Sequence, residues 1–278
     1  MTEPTGSIIE TGCNRLVKAR DGYLIVNIND AYIGKSVIKY GEFSQHELDI
    51  FSQLVGKTDN VIEVGANFGT HTVRLCQLAS QGKVFAIEPQ RIIFQALCGN
   101  ISLNSVFNCH CIQRACSDID NQEITIPELD FSKPNNFGGV PMIENSRSPL
   151  NDKTISLDTL FSSLDKLRLL KIDAEGMEEK ILRGGRKLIQ KTRPALYVEN
   201  DNVEQSESLI REIFSQNYRA YWFISKLYNE SNFNGVDENI FGDIHSFNVI
   251  CYPIEAEVNI SGFTEVLDPK YHPLSSKS

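Results

Sequence analysis

The chain has 278 residues, 41 % of them hydrophobic and 23 % charged, which suits one large α/β domain or two small ones with a sizeable core. Its net charge of −9, with no run of Lys and Arg to offset it, speaks against a nucleic-acid backbone as partner. No window approaches the roughly 18 apolar residues that span a bilayer, no signal peptide is expected at the N-terminus, and seven cysteines without a Cys-x-x-Cys pair read as reduced thiols of a cytoplasmic protein.

Residues 1–57 read as an N-terminal extension or lid. Within them "GYLIVNINDAYIGKSVIKYG" has the pattern of short strands with turns, followed by a helix over 44–55 that Ser44 would cap. From residue 58 strand and helix patterns alternate. A strand is expected at 61–64, a helix at 70–80, a strand in "KVFAIEP", a helix in "RIIFQALCGNISLN" and β structure in "CHCIQRACSD". In the last of these Cys109 and Cys111 share a face and His110 takes the other; a metal site there lacks the usual ligand spacing. Residues 127–152 are irregular, and "NNFGGVP" within them reads as a loop that can close over a substrate.

Next come "SLDTLFSSL" (helix), "LRLLKIDAEG" (strand and turn), "MEEKILRGGRKLIQK" (helix), "PALYVEN" (strand) and a helix over 203–216. Two final strands, "YRAYWFI" and "SFNVICYP", have no helix between them and suggest an antiparallel pair at one edge. Tyr221, Trp222 and Phe223 read as core. The alternation implies a mostly parallel sheet with helices on both faces. The main domain would run over 58–254, leaving 255–278 as a polar, frayed tail.

In such a sheet, ligands bind beyond the carboxyl ends of the strands. The first of these turns is Gly65-Ala66-Asn67-Phe68-Gly69, behind a strand that contains Glu63. Its spacing differs from the G-x-G-x-x-G of dinucleotide sites, and small residues there let a backbone approach closely. Glu88 ends the next strand, where it can take both ribose hydroxyls of an adenosine. Ser117 and Asp118 would follow the third strand and meet the adenine edges. Glu63 near the turn suits the cationic methionine end of S-adenosylmethionine better than a pyrophosphate. Ala66, Thr70, His71, Thr72 and Pro89 complete this candidate cofactor pocket, with Asp173 on its far side. The plain alternative is a packed strand–helix turn with no ligand.

Taken together, "VIEVGANFGTHT", "VFAIEP", "ACSD", "SLDTL" and "LLKIDAEGMEEKILRGG" resemble the FkbM-type methyltransferase family over about residues 20–252. The resemblance implies a Rossmann-like class I methyltransferase fold with a seven-stranded sheet. It also implies an S-adenosylmethionine-dependent O-methyltransferase that acts on a hydroxyl of a sugar, glycan or related secondary metabolite. His71, where a Tyr or Ser-like residue is expected, and the long "NNFGGVPMIENSRSP" insertion depart from the family pattern.

Methyl transfer to a hydroxyl needs alignment and removal of a proton. Asp173 and Glu175 follow the fourth strand, and Glu199, Asn200 and Asp201 the fifth. In one reading Asp173 or Glu199 is a general base. In the other, Asp173, Glu199 and Asn200 hold Mg²⁺ or Ca²⁺, similar to metal-dependent catechol O-methyltransferases. The bland reading makes Asp173 the cap of a helix beginning near Met177, with Glu175 offsetting its dipole. His71 is a further candidate base, or packs beside the cofactor. Glu175, Asn200 and His245 are candidates for the acceptor side. A non-catalytic binding protein, or transfer to nitrogen or nucleic acid, is the alternative function.

Overall fold

A computed structural model describes residues 7–140, 143–144, 151–258 and 261–275. The chain opens with an antiparallel meander of β1 (Ser7–Thr11), β2 (Asn14–Ala19) and β3 (Gly22–Asn27). Helices α1 (Ile33–Tyr40) and α2 (Gln45–Leu54) follow. The first of these overturns the expectation of strand. The β-branched residues of "IGKSVIKY" favour β structure, but Gly34, Val37 and Tyr40 are buried at helical spacing, and burial of that face outweighs propensity. Ser44 does not cap α2 with its side chain. Its backbone is left-handed, φ 48°, and its carbonyl accepts from the Glu47 N–H at 2.9 Å.

The alternating part begins with β4 (Val61–Val64), α3 (Thr70–Leu78), β5 (Val84–Ile87), α4 (Arg91–Leu103) and β6 (Cys109–Ile112). Four short strands come next: β7 (Ala115–Cys116), β8 (Glu123–Thr125), β9 (Ile143–Glu144) and β10 (Asn151–Ile155). Then follow α5 (Leu157–Leu160), β11 (Leu169–Ile172), α6 (Glu178–Gly184), α7 (Arg186–Thr192), β12 (Ala195–Glu199) and α8 (Val203–Ser215). Strands β13 (Tyr218–Lys226), β14 (His245–Pro253) and β15 (Thr264–Glu265) close the chain.

The main sheet has the order β15-β13-β14-β12-β11-β4-β5-β6. Neighbours from β6 to β12 are parallel, and β14 runs antiparallel between β12 and β13. This is the Rossmann-like class I methyltransferase sheet, extended by the two-residue β15. Every residue of β4 and β11 is buried, as expected for strands covered on both faces. Ile62, Leu170 and Leu196 face the core beneath α5 to α8, while Val61, Leu169 and Tyr197 face α2 and α3.

The meander packs on α4. Asn100 and Asn104, one turn apart, exchange hydrogen bonds of 2.6–3.1 Å with the backbone of Ile25 and Tyr23. Two amides thus stand in for a neighbouring strand along the edge of β3.

"CHCIQRACSD" is not one strand. β6 ends at Ile112, and β7 joins a separate sheet of order β7-β10-β8-β9. The helix expected over 177–191 divides into α6 and α7 at Gly185. A Cβ on Gly184 would lie 2.3 Å from the Ser117 carbonyl oxygen, so its glycine lets α6 close onto the turn after β7. The tail does more than fray: β15 pairs with β13, and Val266 and His272 are buried.

Candidate active site

Beyond the carboxyl ends of β4, β5 and β11 lies a cleft of about 460 Å³, counting space open to solvent, lined among others by Gly65, Glu88, Pro89, Arg114, Cys116, Asp173 and Glu175. Gly138 and Val140 also line it, so residues 135–140 of the expected loop border the cleft, anchored by Gln90 Nε2 donating to the Phe137 carbonyl at 2.9 Å and by the tilted ring contact of Phe137 with Phe131. A second recess, about 1160 Å³ counted the same way, continues past Pro89, Gln90 and Arg114.

The glycine turn is tight for a reason internal to the protein. Gly65 has φ 80°, and a Cβ there would come within 1.6 Å of the Asp173 carbonyl oxygen. What the absent Cβ makes room for is the neighbouring strand's turn, while Gly65 itself stays on the cleft wall. Asn67 (φ 50°) and Gly69 (φ 90°) bring the chain round into α3. Glu88 clamps the turn: its carboxylate accepts from the Asn67 N–H at 3.0 Å and the Gln90 N–H at 2.9 Å. Burial pushes the Glu88 carboxyl up to about 7 despite these donors.

Glu63 is displaced from its expected role. Its register partner on β11 is Lys171, so it points beneath the turn, 1 % exposed, and accepts from the Thr72 hydroxyl at 2.6 Å. Ser117 and Asp118 do not line the cleft either. Because β7 leaves the main sheet, Ser117 is fully buried and Asp118 pairs with Arg183 at 3.2 Å. Arg114 and Cys116 stand on the cleft wall in their place. Thr70 faces a different, shallow recess shared with Asp21 and Glu42. Ala66 is buried within the turn.

The carboxylates behind β11 and β12 do converge. Among the described residues, one oxygen each from Asp173, Glu175 and Glu199 lie within 4.8 Å of one another. Glu175 takes Asn200's place in the expected ligand set. Asn200 is 3 % exposed and its Nδ2 has no hydrogen-bond partner among the described residues. Its N–H donates to Phe247, and its carbonyl meets His272 Nε2 at 2.8 Å. His245 opens β14, its Nδ1 2.8 Å from the Asp243 carbonyl, and is not among the residues lining the cleft. Cys109 and Cys111 have Sγ atoms 3.9 Å apart, but His110 stacks on Phe85 and they gather no third ligand among the described residues.

Asp173 does not cap α6. Instead the Glu178 carboxylate takes the N–H groups of Ala174 and Gly176 at 2.8–3.2 Å. This clamp holds Glu175 at φ 50°, a left-handed conformation that costs a non-glycine residue about 1 kcal/mol or more. Burial raises the Glu175 carboxyl to about 8, helped by Asp173 and Asp201, and raises Glu199 as well, with the same two acids adding to it. Burial also pushes Asp173 up, but the Lys171 ammonium and hydrogen bonds from Lys171 and Glu199 outweigh it and hold this carboxyl below its ordinary value.

His71 packs between Phe43 and Phe51, 5 % exposed, its Nε2 without a partner. Burial and the Lys171 charge push it down to about 3, so it is neutral at pH 7. Two residues at the site escaped the sequence reading. Lys171 Nζ donates to Asp173 Oδ2 at 3.1 Å and lies 3.6 Å from Glu63 Oε1. Glu47, brought by α2, accepts from Ser246 at 3.2 Å. A lysine inside the apolar run "LLKI" was the available signal, since a buried ammonium requires acidic partners.

Sheet order and cleft define a class I methyltransferase. The Methyltransferase FkbM domain model matches residues 63–220, more than half of the chain, and the chain belongs to this family of S-adenosylmethionine-dependent methyltransferases. Among solved structures it is similar to precorrin-6y C5,15-methyltransferase from Geobacter metallireducens, at 10 % identity and TM-score 0.45 over 75 % of this chain and 89 % of that one. It is also similar to methyltransferase FkbM from Methylobacillus flagellatus, at 16 % identity and TM-score 0.47 over 72 % of this chain. That alignment spans 47 % of the Methylobacillus protein, about half its length. M. jannaschii TYW2 in complex with AdoMet is similar at 12 % identity and TM-score 0.44, over 88 % of this chain and 87 % of that one. No curated protein matches the sequence. Among the described residues no helix is long and apolar enough to cross a membrane.

Proposed function

We propose that the protein is an O-methyltransferase acting on a hydroxyl of a sugar, glycan or related secondary metabolite. The observation that carries this reading is the convergence of Asp173, Glu175 and Glu199 beside a cleft whose other wall holds Glu88. The residues present fit a cationic cofactor: the half-buried acids Asp173 and Glu175 line the cleft with the buried Glu88, and Glu88 keeps lone pairs free, beyond its two backbone donors, for ribose hydroxyls. Arg114 and Cys116 would flank the adenine, and Asp173 the methyl end.

S-adenosylmethionine supplies an activated methyl group for in-line displacement by the acceptor oxygen. The chain's own task is to orient that oxygen and take its proton. Asp173, held ionised beside Lys171, is the proton acceptor, and Glu175 and Glu199 bind the acceptor's other hydroxyls. Buried carboxyls can both donate and accept while protonated, which suits a polyol.

A second reading has the same three oxygens holding Mg²⁺ or Ca²⁺, hard cations that prefer carboxylates and acidify a bound hydroxyl. Their mutual spacing within 4.8 Å favours it. Labelled S-adenosylmethionine offered to sugars and their deoxy analogues tests both readings. Label should enter the parent sugars and be lost when one particular hydroxyl is missing. Label in amine acceptors alone would refute O-methylation. Activity that survives exhaustive EDTA treatment would remove the cation.

A further inference from the structure

Lys171 lies in the middle of a strand whose other residues are apolar, with its side chain 2 % exposed. Taking an ammonium out of water costs several kcal/mol, and a well-packed apolar side chain at such a position is often at least as stable. Packing therefore does not explain the residue. Its surroundings do. In register beside it stand Glu63 on β4 and Tyr197 on β12, so the three side chains leave one face of the sheet in a row. Asp173, two residues further along the chain, leaves the same face at the cleft. Nζ lies 3.1 Å from Asp173 Oδ2 and 3.6 Å from Glu63 Oε1. Glu63 is fixed in turn by the Thr72 hydroxyl, and α2 covers the row with Glu47, tied to Ser246.

We propose that Lys171 is a positioning residue for methyl transfer: anchored from behind by Glu63 and Thr72, its ammonium holds the Asp173 carboxylate in its place at the floor of the cleft. This rests on Asp173 acting on the acceptor hydroxyl. The bond is charge-assisted and therefore stiff. Asp173 is the partner that needs such support, because it follows the last strand residue and leads into a turn with left-handed residues at Glu175 and Gly176. Without the ammonium, Asp173 Oδ2 would lose the contact that fixes it, and a shift of about 1 Å in a reacting group costs on the order of 100-fold in rate.

Three variants test the role by kcat, acceptor KM, S-adenosylmethionine Kd and thermal stability. Lys171→Met keeps the length of the side chain and removes its charge. It should lower kcat roughly 10- to 100-fold while Kd stays within about threefold. It also strands Glu63 as a buried carboxylate and should lower stability. The double variant Lys171→Met/Glu63→Gln removes that stranded charge and should regain stability but not kcat. Recovery of kcat along with stability in the double variant would show a purely structural lysine and overturn the proposal. Asp173→Asn separates this failure from failure of the proposed function. If it retains full turnover, the reading of Asp173 falls and the proposal with it. If Asp173→Asn is inactive and the double variant fully active, only the positioning role falls.

Discussion

The two halves of the cleft treat their acids differently. On the side of β4 and β5, the Glu88 carboxylate is met by two backbone N–H groups, and the turn it clamps is closed by backbone contacts. On the side of β11 and β12, three carboxyls face one another and, among the described residues, Asn200 Nδ2 has no partner; a left-handed non-glycine residue occurs on each side, Asn67 and Glu175. The first half meets its carboxylate with backbone donors of its own. The second is unsatisfied, and buried polar groups left so cost about 1–3 kcal/mol each. The contrast supports the proposed division, with binding in the first half, where a preformed shape serves, and chemistry in the second, where unpaired groups remain for what arrives.

The largest expected effect tests that division directly. Asp173→Asn keeps size and some hydrogen bonding and removes the charge. Turnover at saturating acceptor should fall roughly 10²–10⁴-fold, the worth of a positioned proton acceptor, while S-adenosylmethionine binding by calorimetry stays near that of the parent. Loss of cofactor affinity with turnover per bound enzyme intact would move Asp173 to the binding half. A smaller effect is expected across the cleft. Glu88→Ala should weaken cofactor binding by about 1.5–3 kcal/mol, the value of hydrogen bonds to a charged group. Part of this loss will come from the turn, because the Asn67 N–H loses its acceptor. An unchanged dissociation constant would show that β5 carries no ribose site.

The same contrast explains what could be read from the sequence. The places of Gly65, Glu88 and Asp173 on the cleft were legible because each stands at a strand end, and the alternation of elements sets those ends. The main sheet was legible for that reason, including its antiparallel pair. What escaped depends on partners far away in the chain. Lys171 makes sense only once β4 and β11 are in register. Glu47 reaches the site through α2, and His272 comes from a tail that composition marks as frayed, yet it packs against Trp222 and Phe247. Local pattern also failed where tertiary burial overrode propensity, in α1, and where a two-residue strand left the main sheet, which carried Ser117 and Asp118 away from the cleft.

The smallest predicted effect concerns pH and sharpens the comparison, because acids of both halves are involved. Burial raises Glu47, Glu88 and Glu178 to about 7 and Glu175 to about 8, against about 4.3 for an unfolded glutamate. Between those limits the native state holds protons that the unfolded chain has released. Stability then falls as pH rises, because its slope follows the excess of protons bound by the unfolded state, here negative. His71 acts in the opposite sense, but only between about 3 and its ordinary value of 6.5, so above pH 6.5 the carboxyls are left to decide. Tm without cofactor should decline by a few degrees from pH 6.5 to 8. Glu175→Gln, which removes the acid with the highest of these values, should flatten the upper part of that decline, and Glu88→Gln the lower part. Cationic S-adenosylmethionine should stabilise the protein more at pH 8, where the cleft has ionised, than at pH 6.5, whereas neutral-centred S-adenosylhomocysteine should show less of this difference. A Tm that rises over the same interval would mean that these carboxyls are already ionised at pH 6.5, and that the transfer half is satisfied by groups other than shared protons.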